Sequence, residues 1–411
     1  MLGMAIATAA LAHEPPSRPR IDAPELAKLG PHAVGVQTIE MVDHALKSER
    51  TLKVDLWYPA DVAAGAAAET YSGSLPGEPP APPTRFTIPG IAVRDAKPAS
   101  GRFPLVIVSH GYSNETVALS WLTENLASKG YVVAAIRHAD PPITDRSKFP
   151  ELLLRRPLDI AFVAGTLQGS LASEGRIDPS RVALIGYSMG GYGVLTAAGG
   201  ALDPESPLVK MVPGGLLTPY ARGGASSKAI RVADVKAVVA ISPFGGSMQA
   251  WGVDGLQSIA SPLLLIAGDR DGSVDYKTGA RAYFNQATNS NRYLLTFLGA
   301  GHRIGLGPAP EEMRHSLWDQ DWFEDPVWGS ERIVGINLHF ITAFLDRYVK
   351  DDTSRAGYLD GLTPKSNDGV WPAAAGERYG GYSPGTGDIT VWKGFQRQHA
   401  EGLELLHENP R

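Results

Sequence analysis

The sequence contains no cysteine. That absence removes disulfides, thiolate zinc sites, iron–sulfur clusters and a cysteine nucleophile at once. Net charge is also small. Lys and Arg total 38 against 43 Asp and Glu, a formal −5, and a chain without a basic surplus lacks the phosphate-neutralising face of a general nucleic-acid binder. No run of about 18 apolar residues occurs, so no integral membrane span is expected. Glycine and proline are what the chain has in quantity, 46 and 32 of 411 residues, which implies many turns and long loops without a collagen period. With 43% hydrophobic and 20% charged residues it has the balance of a folded protein, long enough for one large core or two ordinary domains.

Residues 1–12, MLGMAIATAALA, are apolar, and Ala10-Leu11-Ala12 resembles a small-residue processing site, although no basic residue precedes it. A signal there places the protein in the periplasm or outside the cell; without one it is cytoplasmic. Residues 1–34 are therefore expected to form an N-terminal segment. An α/β domain is expected over 35–349, with insertions near 203–234 and 308–329, followed by a C-terminal extension over 350–411.

Within that domain, 35–42 and 52–58 alternate as antiparallel strands, and 59–84 reads as a Pro/Gly/Ala loop with a short strand near 86–91. Short, nearly continuous apolar strands then follow at 103–109, 131–136, 182–185, 235–241, 263–266 and 293–297. Helical patterns stand at 121–129, 156–168 (with Asp159 near its start), 190–198 and 333–348. Apolar strands alternating with helices describe a mostly parallel central sheet covered by helices on both faces. The extension is Gly-rich yet carries Tyr358, Trp371, Tyr379, Tyr382, Trp392 and Phe395. It is expected to pack back on the main domain near the mouth of the site, and leucines close to its end suggest a final docking strand or helix.

The strongest local signal is Gly186-Tyr187-Ser188-Met189-Gly190, a G-x-S-x-G sequence with an apolar strand before it and a small-residue helix after it. Glycines at 186 and 190 allow the tight turn that lifts the Ser188 hydroxyl above the sheet. A serine needs a base, and the order serine, acid, histidine is available. His302 follows the strand at 293–297, at the sheet end where α/β proteins place their sites. After the strand at 263–266 come Asp269, Asp271 and Asp275. Asp271 is the expected acid. Asp269 is expected to hold the loop, and Asp275 to cap a helix starting near Lys277.

The strand at 103–109 ends in His110-Gly111-Tyr112. Two backbone N–H groups, of Tyr112 and Met189, are the expected oxyanion donors. Gly111 and the Tyr112 side chain are expected to contact substrate. Trp251 and the aromatics between 318 and 328 complete an apolar pocket. His110 reads as a loop hydrogen-bonder, and His138 as a residue that lines the cleft. No H-x-H or H-E-x-x-H sequence supports a metal site, and no cofactor is needed.

These residues resemble the α/β-hydrolase superfamily. The segments VIVSHGYSNETVALSWLTENLASKGYVVAAIRHAD, DIAFVAGTL and DPSRVALIGYSMGG are similar to the platelet-activating-factor acetylhydrolase and dienelactone hydrolase group. Polymer-ester hydrolases are also similar, and differ in the disulfide that their typical secreted members carry. The resemblance implies a serine esterase with Ser188, Asp271 and His302 as its triad and an oxyanion loop at Gly111–Tyr112; Tyr112, Met189, Trp251 and the aromatics between 318 and 328 point to an uncharged, hydrophobic small-molecule ester as substrate. Dienelactone hydrolases proper use a Cys nucleophile, which this chain lacks. The alternatives are a serine peptidase or amidase, and a non-catalytic α/β-hydrolase-fold ligand-binding protein. Oligomeric state is not legible in the sequence.

Overall fold

A computed structural model describes residues 24–44, 49–141, 143, 145–370, 389–395 and 400–411. The signal-like stretch at 1–12 and the aromatics Trp371, Tyr379 and Tyr382 lie outside the described residues.

One large sheet runs through the molecule. Its strands are β1 (Ala33–Asp43), β2 (Arg50–Asp61), β5 (Val93–Arg94), β6 (Lys97–Pro98), β7 (Phe103–Ser109), β8 (Val132–Arg137), β9 (Ile177–Tyr187), β10 (Val235–Ile241), β11 (Leu263–Gly268), β12 (Arg292–Phe297) and β13 (Leu403–Glu408). The order is β13-β12-β11-β10-β9-β7-β8-β2-β1-β5, with β6 paired to β2. Strands β8, β7, β9, β10, β11 and β12 are mutually parallel, and β1–β2, β2–β8 and β12–β13 pair antiparallel.

Because side chains alternate across a strand, a strand covered on both faces must be apolar at every position. In β7, Leu105 and Ile107 face one core and Val106 and Val108 the other. In β9, Val182 and Leu184 do the same against Ala183 and Ile185. Helices α1 (Ser120–Ser128) and α7 (Ser330–Val349) cover the core of Val106 and Val108 through Leu122, Leu126, Phe340 and Phe344. Helices α2 (Phe149–Ser173), α3 (Met189–Ala197) and α5 (Ala280–Gln286) cover the core of Leu105 and Ile107 through Leu153, Val163, Tyr192 and Tyr283. The mostly parallel, doubly covered sheet is the architecture the apolar runs predicted.

Three elements differ from the sequence expectation. The loop expected over 59–84 contains β3 (Thr70–Leu75), which pairs as a hairpin with β4 (Thr84–Pro89), the short strand expected near 86–91. Its polar sequence hides three buried anchors, Tyr71, Leu75 and Phe86, and the Tyr71 hydroxyl donates to Glu124 Oε1 at 2.6 Å while accepting from Trp57 Nε1 at 2.8 Å. Helix α2 begins at Phe149, before the expected residue 156, so Asp159 sits well inside it. Pro157 lies within α2 and has no N–H to give to the Leu153 carbonyl; the Tyr192 hydroxyl donates to that carbonyl instead, at 2.8 Å. Finally, α5 starts at Ala280, and Asp275 caps only a turn, accepting the Thr278 N–H at 2.8 Å.

Residues 203–234 carry the short α4 (Pro207–Lys210), and residues 308–329 the short α6 (Leu317–Gln320). In the extension, β13 joins the sheet edge, and Trp392 packs edge-on against Phe340 of α7. Among the described residues no helix is long and apolar enough to cross a membrane.

Candidate active site

Ser188 stands between β9 and α3 with φ 54° and ψ −114°. A non-glycine residue held there is strained, and such strain persists only where the surroundings enforce it. The enforcement is steric. A Cβ on Gly186 would lie 2.2 Å from the Gly190 carbonyl oxygen, and one on Gly190 would lie 1.9 Å from that of Ser109. Only glycine permits the turn and brings β7 this close beneath it. The turn also points the N-terminus of α3 at the space above Ser188, where the first-turn N–H groups lack helical acceptors.

His302 Nε2 lies 3.0 Å from Ser188 Oγ, and His302 Nδ1 lies 2.7 Å from Asp271 Oδ2. The acceptor-only carboxylate takes the Nδ1 hydrogen, which leaves Nε2 free to accept from the serine hydroxyl. Asp271 is buried, and burial alone would raise its pKa. The hydrogen bond and charge of His302, with the N–H groups of Val274 and Ser273 at 3.1 and 2.9 Å, outweigh that and hold the carboxyl below its ordinary value. Asp271 is thus kept ionised beside the imidazole.

The loops carrying these two residues are tied together. Asp269 Oδ1 accepts the Gly299 N–H at 2.6 Å, the loop-holding contact expected of it. Asp325, which sequence reasoning missed, accepts the Gly301 N–H at 2.7 Å from the 308–329 insertion. The Tyr187 ring lies against His302, centroids 5.3 Å apart, and its hydroxyl donates to the His302 carbonyl at 3.1 Å.

Above Ser188 opens a cleft of about 640 Å³. Gly111, Tyr112 and Met189 line it, as do Trp318 and Trp322. Phe149, Phe244, Met211, Val274 and Leu306, none of them singled out in the sequence, complete its apolar wall. The hairpin supports that wall: the Pro76 carbonyl accepts from Trp318 Nε1 at 2.7 Å and from Trp322 Nε1 at 3.3 Å.

Other expectations are corrected here. Trp251 does not line the cleft. It is 1% exposed and packs between Tyr192 and Tyr283 in the core beneath α3. His138 does not line the cleft either. Its ring is buried, with Nδ1 2.8 Å from Asp159 Oδ2 and Nε2 2.8 Å from Ser109 Oγ. None of the described residues of the 350–411 extension lines the cleft. His110 is a loop hydrogen-bonder, with Nδ1 2.7 Å from the Gly111 carbonyl oxygen. Among the described residues no three metal-ligating side chains are gathered.

A family model described as PET hydrolase-like matches residues 92–213. Cutinase 2 of Thermobifida cellulosilytica is 26% identical over 267 residues, 65% of this chain and 75% of that protein. Cutinase cut1 of Thermobifida fusca is equally similar, the match spanning 61% of its length, less than two thirds. A bis(hydroxyethyl) terephthalate hydrolase of Streptomyces coelicolor is 34% identical over 100 residues, 24% of this chain and 30% of that one. Among solved structures, the ferulic acid esterase from Streptomyces cinnamoneus superposes with a TM-score of 0.54 at 20% identity, covering 80% of this chain and 94% of that one, which is a likeness of fold. The matches do not select the acetylhydrolase and dienelactone hydrolase group. This chain has an α/β-hydrolase fold and is related to the bacterial cutinase and PET hydrolase-like esterases.

Proposed function

We propose that this protein hydrolyses carboxylic esters through an acyl-enzyme formed on Ser188. The chain is a serine ester hydrolase for small and medium hydrophobic esters. The observation that carries the assignment of residues is the hydrogen-bond chain from Ser188 through His302 to Asp271, standing on a strained turn at the floor of an apolar cleft. His302 takes the Ser188 proton as the hydroxyl oxygen attacks the ester carbonyl. Asp271, held ionised, stabilises the imidazolium that forms. Charge collects on the former carbonyl oxygen, and the N–H groups of Met189 and Tyr112 receive it. His302 then protonates the leaving alcohol. Water enters, gives its proton to His302, and attacks the acyl carbon to free the acid and Ser188. The apolar walls exclude bulk water and favour uncharged acyl groups.

The finer likeness to the acetylhydrolase and dienelactone hydrolase group rests on the segments at residues 106–140, 159–167 and 178–191 and supports the same serine chemistry; it assigns neither a lipid ester nor a dienelactone. The division into a segment through 34, a catalytic domain over 35–349 and an extension from 350 belongs to this reading. The test is a ladder of p-nitrophenyl esters from acetate to dodecanoate, with wild type and Ser188→Ala, beside a p-nitroanilide. Ester turnover abolished by the substitution is the expected result. A folded wild type inactive on every ester, or one that cleaves the anilide preferentially, would overturn the reading.

A further inference from the structure

The chain around Tyr112 is held on both sides by groups that do not reach the cleft. Arg156, on α2 and 0% exposed, donates from Nη1 to the His110 carbonyl at 2.7 Å and from Nη2 to the Gly111 carbonyl at 3.3 Å. His110 Nδ1 meets the same Gly111 carbonyl oxygen at 2.7 Å. The His138 N–H donates to His110 Nε2 at 3.4 Å, so the ring hydrogen is on Nδ1 and Nδ1 is the donor. On the other flank, Asp140 Oδ2 accepts the Ser113 N–H at 3.0 Å and also pairs with Arg156 Nη2.

A planar trans peptide points its C=O and N–H in opposite directions. The Gly111 carbonyl and the Tyr112 N–H belong to one such plane. Donors that fix the carbonyl therefore fix the N–H, aimed away from Arg156. Gly111 stands directly against the nucleophile: a Cβ built on it would lie 3.5 Å from Ser188 Cβ.

We propose that Arg156, braced by Asp140, is a positioning residue for ester hydrolysis: it sets the Gly111–Tyr112 peptide plane so that the Tyr112 N–H meets the oxyanion. This rests on the esterase reading above. An arginine suits the task because its planar fork spans two carbonyls and a carboxylate together, which a lysine ammonium does not. Nothing in the sequence pattern marks it, since its partners are backbone carbonyls 46 and 45 residues away.

The experiment compares wild type, Arg156→Lys, Arg156→Met and Asp140→Asn in steady-state hydrolysis of p-nitrophenyl butyrate and in binding of an alkyl boronic acid, whose adduct with Ser188 places an oxygen where the oxyanion forms. Circular dichroism and thermal melting establish folding. Loss of a whole oxyanion donor costs roughly 10²- to 10³-fold in kcat, so a displaced one is expected to cost roughly 10- to 100-fold, with KM within about threefold. Boronate affinity should fall in the same proportion, and Arg156→Lys should lie between Arg156→Met and wild type. A folded Arg156 variant with unchanged kcat and boronate affinity overturns the proposal, as does a loss confined to KM. If Arg156→Met does not fold, Arg156→Lys and Asp140→Asn decide. An inactive folded wild type removes the esterase reading and this inference with it. An active wild type, a silent Ser188→Ala and an unchanged Arg156→Lys remove this inference alone.

Discussion

Two hydrogen-bond chains in this molecule have the same three residue types in the same order. Ser188, His302 and Asp271 are linked at 3.0 and 2.7 Å. Ser109, His138 and Asp159 are linked at 2.8 and 2.8 Å. What separates them is everything around the chain. Ser188 is raised on a strained turn beneath a cleft and beside a helix N-terminus. Ser109 ends strand β7 with 0% exposure, and its hydroxyl oxygen also faces Arg156 Nη1 at 3.4 Å. Asp271 is held below the ordinary carboxylate range. Asp159, nearly as deep as the strands around it, is lifted by burial to about 7 despite the charges of Arg50 and Arg156. A serine, histidine and aspartate in line are therefore not a nucleophile by themselves. On the proposed reading, access, anion-receiving N–H groups and an ionised carboxylate make the difference. The buried set instead braces the loop that follows β7.

The largest expected contrast is at the two serines. Ser188→Ala should lower ester hydrolysis by roughly 10⁴- to 10⁶-fold with stability little changed. Ser109→Ala should leave kcat within about tenfold and cost about 1–3 kcal/mol of stability, because His138 Nε2 loses its buried donor. A fluorophosphonate should label Ser188 and leave Ser109 untouched; labelling of Ser109 would break the comparison.

The two aspartates should separate next. Asp271→Asn is expected to lower kcat by roughly 10³- to 10⁴-fold, since an amide side chain stabilises the wrong tautomer of His302. Asp159→Asn should keep kcat within about tenfold and lower stability by about 1–3 kcal/mol, leaving His138 and Arg50 poorly matched. Kinetics with urea unfolding distinguishes them, and equal kinetic damage from both would erase the distinction.

A smaller difference is expected in acid. Burial and the Arg156 charge hold His110 at about 4, against an ordinary 6.5. Between those values the unfolded chain binds a proton that the folded chain excludes. Stability then falls as pH drops from 6.5 towards 4, by at most about 3 kcal/mol from this group. Asp159 works the other way. Its folded carboxyl takes up a proton near 7 that the unfolded chain binds only near 3.8. Measured against wild type, His110→Asn should gain stability on going from pH 7 to 4.5, and Asp159→Asn should lose it. Identical urea midpoints against pH in all three proteins would contradict these assignments.

The smallest effects belong to the aromatics. Trp318→Ala should raise KM for the longer esters by roughly three- to tenfold through lost apolar contact. Trp251→Phe should change the melting temperature but not the chain-length preference.

What was legible in the sequence follows from where the determinants sit. Strands β7 to β12 read clearly because burial on both faces leaves continuous apolar runs. That Ser188, Asp271 and His302 would meet was legible because each sits at a strand end in a local signature. Strand β3 did not read clearly, because TYSGSL is polar and its burial depends on Trp57 and Glu124 elsewhere in the chain. Pro157 hid the true length of α2, since the hydroxyl that replaces its missing N–H comes from Tyr192 on another helix. Trp251 was misplaced because chain position near a strand end does not fix which way a side chain turns. Asp325 and Arg156 hold backbone atoms of distant loops, and no spacing rule reveals such partners.

Strand β13 has a consequence for anyone who shortens the chain. It covers β12 from Phe297↔Leu403 to Arg292↔Glu408. Deletion of the final twelve residues, 400–411, would uncover a bare β-edge of sequence RYLLTF, β-prone and uncharged beyond Arg292, open to pairing with other copies. The expected outcome is aggregation of a protein whose proposed catalytic residues are all still present, with His302 placed five residues beyond the exposed strand.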